Sequence, residues 1–141
     1  EEAYNNGTPN REYLAKLVFN NPEALNKLNS FVHPAVQRHF KKWLTLQAAP
    51  YVIKEAAILF ESGSYKDCDK IITVTAPLET RVQRVMQRDS VNYGDVLARI
   101  KNQLPEEEKI KRSHFVIENI SLENTLKKVE EIHLKLLELS S

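Results

Sequence analysis

Three arginines of the sequence share one face of a predicted helix. Arg81, Arg84 and Arg88 are spaced by three and four residues, and residues at that spacing lie on the same side of an α-helix. Guanidinium groups bind phosphate oxygens in pairs, so this face would suit a ligand with several negative charges. The other interpretation is an ordinary solvent-exposed charged face, partly neutralised by Glu79 and Asp89.

A second pair of polar residues lies on the next predicted helix, Tyr93–Leu104. Arg99 and Gln103 are four residues apart there and therefore share a face. Together with Arg84 and Arg88 they could close over a ligand as a mobile lid, which is a common way to exclude water from phosphoryl transfer. A helical hairpin on the protein surface would have the same pattern, and the spacing does not distinguish the two.

Two carboxylates follow the apolar run Tyr51–Ile58, which predicts a buried strand. Glu55 lies near the carboxyl end of this run, and Glu61 comes six residues later. In open parallel sheets ligands bind beyond the carboxyl ends of the strands, so a carboxylate there could hold a magnesium-bound water or a substrate hydroxyl. Local hydrogen bonding at a strand end explains the same residues equally well.

Histidine and cysteine do not form a predicted metal site. His33 precedes Pro34, where it is either a helix-start residue or a ligand contact, and the other histidines form no metal-binding pair with it. Cys68 is the only cysteine, which excludes an intrachain disulfide and a cysteine metal site. We interpret its thiol as inert.

The composition is that of one globular domain. The 141 residues are 42% hydrophobic and 28% charged, with a formal net charge of +1. A balance so close to neutral argues against nucleic acid as the main partner, and no apolar run approaches the roughly 20 residues that span a membrane. The three glycines are isolated, which excludes a glycine-rich phosphate loop within these residues. A reduced, cytoplasmic setting is the default expectation.

The first third of the sequence is predicted to form three short helices. The first is capped by Asn10 and ends at Asn20, the second begins at Asn21-Pro22, and the third begins at His33-Pro34. The apolar stripe of the third helix is predicted to face a core, and it consists of Val36, Phe40, Trp43 and Leu44.

The remainder of the chain alternates between strands and helices. Tyr51–Ile58, Lys70–Ala76 and His114–Glu118 are predicted strands, because they are short and rich in apolar and β-branched residues. Helices over Leu78–Arg88 and Tyr93–Leu104 separate the last two strands, and a long amphipathic helix follows them. This order predicts an α/β fold with a parallel sheet and helices on its faces.

Taken in order, these segments resemble the dephospho-coenzyme A kinases, which are P-loop kinases of the last step of coenzyme A synthesis. The HP element at 33–34, the LFE turn at 59–61, the RVQRVMQRD run at 81–89 and the VIEN strand at 116–119 occur in the family's order and spacing. The matching stretches are 17–36, 58–61, 68–89, 98–103 and 114–119. The resemblance implies a three-layer P-loop kinase fold, in which a parallel sheet has helices on both faces and carries a helical substrate lobe and lid helices.

The resemblance also implies roles for individual residues. Arg84 and Arg88 would be lid arginines that approach the ATP phosphates and the transferring group, and Asn119 would lie near the adenine. The residues on the substrate side would be His33, Glu55, Leu59, Phe60, Glu61, Arg99 and Gln103. The implied reaction is phosphorylation of the ribose 3′-hydroxyl of dephospho-coenzyme A by ATP with Mg²⁺.

Some family features have no match in these residues. A first strand, a phosphate loop ending in Gly-Lys-Ser/Thr and an acidic general base are absent, so we expect one partial kinase domain over 1–141 that is inactive by itself. Its implied parts are a substrate lobe at about 8–48, a sheet core at 49–77 and 113–141, and a lid at about 78–112. Ala57 and His114 stand where the family usually has proline and aspartate, which leaves the role of His114 open.

The resemblance further predicts how the strands are arranged. Lys70–Ala76 and His114–Glu118 should be adjacent and parallel, because a right-handed crossover through the lid helices joins them. The strand at 51–57 should lie one strand away from Lys70–Ala76, about 10 Å at the normal spacing. Either a further segment of the molecule fills that gap, or the strands close up or pair with another copy in a homo-oligomer.

Two other functions remain open at this point. Another P-loop nucleoside or nucleotide kinase would share the lid arginines, and a non-catalytic α/β module could bind an acidic partner through its arginine face. The HP element and the helical unit preceding the LFE turn favour dephospho-coenzyme A kinase over another P-loop kinase. The stripe of the C-terminal helix is no longer than one packing face requires, which disfavours a purely oligomerising role.

Overall fold

The computed structural model describes residues 2–19 and 21–140, except for the side chain of Phe19. The chain divides into two compact units, one up to Val52 and one from Ile53. None of the helices formed by the described residues is long and apolar enough to cross a membrane. The assignment of the whole chain to one partial kinase domain stays a prediction.

The first unit opens with a hairpin that the sequence patterns did not predict. Strand β1 (Tyr4–Asn5) pairs antiparallel with β2 (Thr8–Pro9). The turn between them is Asn6-Gly7, with φ angles of 49° and 81°. Asparagine followed by glycine is the preferred pair for such a two-residue turn, because both residues tolerate positive φ.

Helix α1 (Arg11–Phe19) confirms the predicted cap at Asn10. The Asn10 Oδ1 accepts a hydrogen bond from the Tyr13 backbone N–H at 3.2 Å, which satisfies one of the unpaired donors at the start of the helix. The expected helix end at Asn20 lies outside the described residues.

Helix α2 (Pro22–Leu44) is one helix where we predicted two. The cap at Asn21 is confirmed, since its Oδ1 accepts from the Ala24 N–H at 3.0 Å. The predicted helix start at His33-Pro34 is wrong, because Pro34 lies inside α2. A proline there removes one backbone hydrogen bond, and the helix-forming residues on both sides continue the helix across it.

The core stripe predicted for this helix is also wrong. Val36 is 56% exposed and Trp43 41% exposed, and α2 has no buried residue. Trp43 instead packs on the ring of Phe40, with 5.7 Å between ring centroids. Periodicity identified the helix correctly, but it does not show that another element covers the apolar side.

The predicted strand Tyr51–Ile58 is wrong as well. Residues 51–56 have no regular structure, and turns follow to a short 3₁₀ helix at Ser64–Asp67. A strand exists only where a neighbour accepts and donates its ladder hydrogen bonds, and no strand of the described residues pairs with this run. Because Tyr51–Ile58 is not a strand, the expected gap of one strand between it and Lys70–Ala76 does not arise.

The second unit has an α/β organisation around two parallel strands. Strand β3 (Ile72–Thr75) pairs with β4 (Phe115–Glu118), with Ile72 opposite Phe115 and Thr75 opposite Glu118. The prediction that these strands are adjacent and parallel is confirmed. The helices of this unit are α3 (Leu78–Asp89), α4 (Tyr93–Lys101), α5 (Glu106–Lys111) and α6 (Leu122–Leu139). The predicted helix end at Leu104 is wrong, because α4 ends at Lys101, so Gln103 follows the helix and does not share its face with Arg99.

The core of this unit lies between the strands and the surrounding helices. Its buried side chains are Ile71, Ala76, Val82, Val96, Ile117 and Ile132. Helix α3 packs against α4, α5 against β3, and α6 against β4. Val82 is fully buried, as predicted for the side of α3 opposite the arginines.

His114 has a structural position at the amino end of the strand pair. Its Nδ1 accepts the Ile71 N–H at 3.1 Å, and its own backbone N–H donates to the Ile71 carbonyl at 2.9 Å. These two bonds close the β3–β4 ladder at its amino end. Ligands of open parallel sheets bind at the opposite, carboxyl end.

Candidate functional site

The carboxyl ends of β3 and β4 meet, and one of the candidate arginines joins them there. The Asn119 backbone N–H donates to the Thr75 carbonyl at 2.7 Å. Arg84 Nη1 donates to the Asn119 carbonyl at 2.8 Å. The structure therefore brings Arg84 and Asn119 together, although they are 35 residues apart in the sequence.

Arg81 is less available to a ligand than its position on the arginine face suggested. Its Nε donates to the Ala76 carbonyl at 3.0 Å, and its guanidinium forms an ion pair with Glu106. The same carboxylate accepts a hydrogen bond from the Thr75 hydroxyl. Glu106 of α5 therefore adds a carboxylate to the arginine face from outside α3.

Arg88 and Arg99 converge on one carboxylate. Arg88 Nε lies 2.7 Å and Arg88 Nη2 3.2 Å from the two oxygens of Asp89, and Arg99 Nη1 lies 2.9 Å from Oδ2. Hydrogen bonds from these two guanidinium groups lower the pKa of Asp89 to about 2. The side chains of Arg88 and Arg99 are more than half exposed, so this cluster is open to solvent and to a ligand.

Glu61 and Gln103 are joined by a lysine that the sequence analysis did not single out. Glu61 Oε1 accepts the Leu104 N–H at 2.7 Å and lies 3.7 Å from Lys109 Nζ. The same ammonium donates to Gln103 Oε1 at 2.7 Å. Partial burial alone would raise the pKa of Glu61, but the Leu104 and Lys109 contacts outweigh it and place that pKa below its usual value.

Phe60, in the turn before Glu61, is held by ring contacts. It lies 5.6 Å from the Tyr65 ring, between centroids, and the Arg112 guanidinium carbon lies 6.0 Å above its ring. Leu59 beside it is half-buried. The turn at 59–61 is therefore a packed element rather than a loose loop.

Two further candidates lie elsewhere in the chain. His33 lies in the first unit, exposed on α2. Glu55 is exposed in the irregular segment where we predicted a strand, so the expectation that it stands at a strand's carboxyl end fails with that strand.

The residues that sequence reasoning missed come from α5. Pro105 followed by three glutamates is a helix-start signal, since proline fits the beginning of a helix and acidic side chains favour its first turn. This signal predicts helix α5, and the spacing of three residues places Glu106 and Lys109 on the same side of it. It does not predict their partners.

Among the described residues, no group of three or more His, Cys, Asp or Glu side chains could hold a metal ion. Burial, the largest influence, raises the pKa of the Cys68 thiol. Its Sγ donates to the Ser64 carbonyl at 3.6 Å. A thiol that stays protonated is a poor nucleophile, which agrees with the interpretation of Cys68 as inert.

Comparison with known proteins decides the family. Residues 2–124 match the family model described as dephospho-CoA kinase. The chain belongs to the dephospho-CoA kinase family. This assignment confirms the resemblance drawn from the order of the motifs.

Named members of the dephospho-CoA kinase family are similar over most of the chain. The dephospho-CoA kinase of Leptospira interrogans is 45% identical over 114 residues, which cover 80% of this chain and 55% of the relative. That of Thermus thermophilus is 44% identical over 132 residues, covering 91% of this chain and 65% of the relative. The chain thus spans between about half and two thirds of the length of these relatives.

Two solved structures share the fold. A crystal structure from Thermus thermophilus is 41% identical with a TM-score of 0.87, covering 95% of this chain and 70% of that one. The dephospho-CoA kinase from Campylobacter jejuni is 27% identical with a TM-score of 0.67, covering 98% of this chain and 70% of that one. The α/β organisation of the second unit is therefore that of a known structural family.

Proposed function

We propose that this protein transfers the γ-phosphoryl group of ATP to the ribose 3′-hydroxyl of dephospho-coenzyme A, giving coenzyme A and ADP. The observation that carries the proposal is the family match over residues 2–124. The position of Arg84 beside Asn119, at the carboxyl ends of two parallel strands, supports it. This edge is where open α/β sheets bind their ligands.

The arginines supply positive charge where the reaction develops negative charge. The hydroxyl oxygen bonds to the γ-phosphorus and its proton passes to a carboxylate base, which none of the described residues is assigned to supply. The bond from that phosphorus to the β,γ-bridging oxygen breaks, and its electron pair leaves with ADP. Charge on the transferring group and leaving oxygen is stabilised chiefly by fixed cations, because phosphoryl transfer requires little covalent help from the protein. We assign this role to Arg84 and Arg88, with Asn119 on the nucleotide side.

The acceptor is assigned to other residues of the same unit. We assign the turn Leu59, Phe60 and Glu61 and the lid residues Arg99 and Gln103 to dephospho-coenzyme A. His33 on α2 and Glu55 in the irregular segment 51–56 complete the residues assigned to the acceptor. Mg²⁺ would accompany the ATP phosphates, and none of the described residues is assigned to hold it.

The finer architecture and setting belong to the same proposal. The two-stranded sheet would be part of a three-layer P-loop kinase sheet with helices on both faces. The reaction would take place in the cytoplasm, as expected for a chain with one thiol and no disulfide. Inactivity of the 141 residues alone stays a prediction, as does any homo-oligomer.

The test is an ADP-release assay on protein expressed from the complete gene. Dephospho-coenzyme A should be phosphorylated in the presence of MgATP, while adenosine and nucleoside monophosphates should be poor acceptors. Efficient phosphorylation of those acceptors instead would favour another P-loop kinase. No ADP release with any of them would contradict the proposed function and favour a binding module.

Arg84→Ala should lower kcat about 10²-fold or more, the effect of removing one donor from a developing oxyanion. The free energy of unfolding should change by less than about 1.5 kcal/mol, because the lost bond is one hydrogen bond to a carbonyl. Lys127→Ala on α6, which also removes an exposed cation, is the matched control and should leave kcat unchanged. An Arg84→Ala protein with normal kcat would remove Arg84 from the site.

A further inference from the structure

Helix α5 holds the turn at 59–61 through two cationic side chains. Lys109 lies against Glu61, and Arg112, just after the helix, lies over the ring of Phe60. Lys109 and Arg112 are three residues apart and so project from the same side of the chain. The turn assigned to the acceptor substrate therefore takes its position from α5.

Lys109 also connects this turn with the residues that follow α4. Its ammonium donates to Gln103 Oε1 at 2.7 Å and lies 3.7 Å from Glu61 Oε1. Glu61 in turn accepts the Leu104 N–H at 2.7 Å. One ammonium thus joins two segments that are more than 40 residues apart in the sequence.

The ion pair between Lys109 and Glu61 is more shielded from water than a typical surface ion pair. The side chains of Lys109 and Glu61 are 19% and 23% exposed, whereas those of Lys111 and Glu108 on the same helix are 68% and 41% exposed. Charges that are partly withdrawn from water attract one another more strongly and are less screened by salt. Removing one of them leaves the other partly buried without its partner.

The hydrogen bond to Lys109 also sets the orientation of the Gln103 amide. Because the carbonyl oxygen accepts from the ammonium, the amide NH₂ group is turned away from Lys109. A glutamine fixed in this way presents hydrogen-bond donors, which suit a phosphate or a sugar oxygen. Without Lys109 the amide would be free to turn over.

We propose that Lys109 is a positioning residue, which sets the turn at 59–61 and the Gln103 amide in the arrangement that receives the acceptor substrate. The proposal rests on the proposed function, because it assigns that site to dephospho-coenzyme A. Lys109 acts through Glu61 and Gln103 and takes no part in the transfer itself.

The first test is steady-state kinetics on protein from the complete gene. Lys109→Met should raise KM for dephospho-coenzyme A about tenfold, while kcat and KM for ATP change less than about threefold. Lys109→Arg keeps the charge and should recover most of the affinity. Lys111→Met is the control on the same helix and should behave as the wild type. A normal KM in Lys109→Met, or an equal rise in Lys111→Met, would overturn the proposal.

The second test separates positioning from general destabilisation. Glu61→Gln should raise the same KM, and the double variant Glu61→Gln with Lys109→Met should show less than the product of the two single effects. Both changes break the Lys109–Glu61 contact, while Lys109→Met alone also releases Gln103. Fully additive effects would contradict a shared role. If Lys109→Met does not fold, Glu61→Gln carries the test, and an unchanged KM in this variant would overturn the proposal.

The third test does not depend on activity. A ¹³C NMR titration of the glutamate carboxyls should show the Glu61 pKa rising toward its usual value in Lys109→Met but not in Lys111→Met. An unchanged Glu61 pKa would show that Lys109 does not hold this carboxylate. A wild-type protein without kinase activity would overturn the proposed function, and this titration would still decide whether Lys109 organises the turn.

Discussion

The two units of the chain differ sharply in how they use their apolar residues. In the described residues up to Val52 no side chain is buried, although α1 and α2 carry clear apolar stripes. In the unit from Ile53, six apolar side chains are buried between the strand pair and its helices. Both regions contain well-capped helices, so helix formation is not what distinguishes them.

The difference lies in what each helix has to pack against. Helices α1 and α2 contact each other, and two helices alone cover only a narrow stripe of one another. In the second unit α5 packs on β3, α6 on β4 and α3 on α4, and residues such as Val82 and Ile132 lose nearly all contact with water. An amphipathic pattern therefore predicts a helix, while burial requires a second layer.

The largest effect that would test this comparison is the loss of a buried side chain in the second unit. Ile132 is only 3% exposed on α6. Ile132→Ala should lower the free energy of unfolding by about 2–5 kcal/mol, because the loss of buried surface and the cavity left behind both destabilise the folded state. The measurement is urea denaturation followed by circular dichroism.

Val36→Ala in the first unit is the matched control. Val36 is 56% exposed on α2, so its truncation should change the free energy of unfolding by less than about 0.5 kcal/mol. Equal losses for Ile132→Ala and Val36→Ala would show that the first unit has a core of its own, and would break the comparison.

A smaller effect should come from the cap of α2. Without buried side chains, this helix depends more on local interactions, among them the bond from the Ala24 N–H to Asn21 Oδ1. Asn21→Ala should cost about 1 kcal/mol of unfolding free energy, and Asn21→Ser, which retains an acceptor, should cost less. Helical circular dichroism during thermal unfolding measures both. If Asn21→Ala leaves the free energy of unfolding unchanged, then packing rather than capping stabilises α2.

The smallest effect concerns the exposed Arg88–Asp89–Arg99 cluster of the second unit. The folded-state pKa of Asp89 is lowered to about 2 from an ordinary value of 3.8, so its stabilising contribution is complete above the ordinary value and disappears as pH falls through about 2. The stability difference between wild type and Asp89→Asn should be constant near neutral pH and vanish at about pH 2. Denaturation of both proteins across this range provides the check. A difference that instead grew toward low pH would contradict the Asp89 contacts.

Much of the second unit was predictable because its signals are local and agree with one another. The β-branched runs predicted β3 and β4, their alternation with helices predicted parallel pairing, and the spacing of Arg84 and Arg88 on α3 predicted a shared face. The motif order indicated the family without any structural information. Residue type and spacing gave most of the candidate-site residues, the resemblance added Leu59, Phe60 and Asn119, and all of them remain proposals.

The errors arose where a local pattern depends on a distant partner. The run Tyr51–Ile58 has the composition of a strand but no neighbour to pair with among the described residues. Pro34 looked like a helix start, yet it lies inside a helix that residues on both sides sustain.

By itself the sequence determined the caps at Asn10 and Asn21, the parallel strand pair and the face that Arg84 and Arg88 share. Each of these depends on residues within a few positions of one another, or on the order in which elements follow along the chain. Only the tertiary structure decided that Arg84 reaches Asn119 and that Lys109 joins Glu61 to Gln103. Those contacts close over tens of residues, and their distances are set by how the helices pack on the strands rather than by any spacing in the chain.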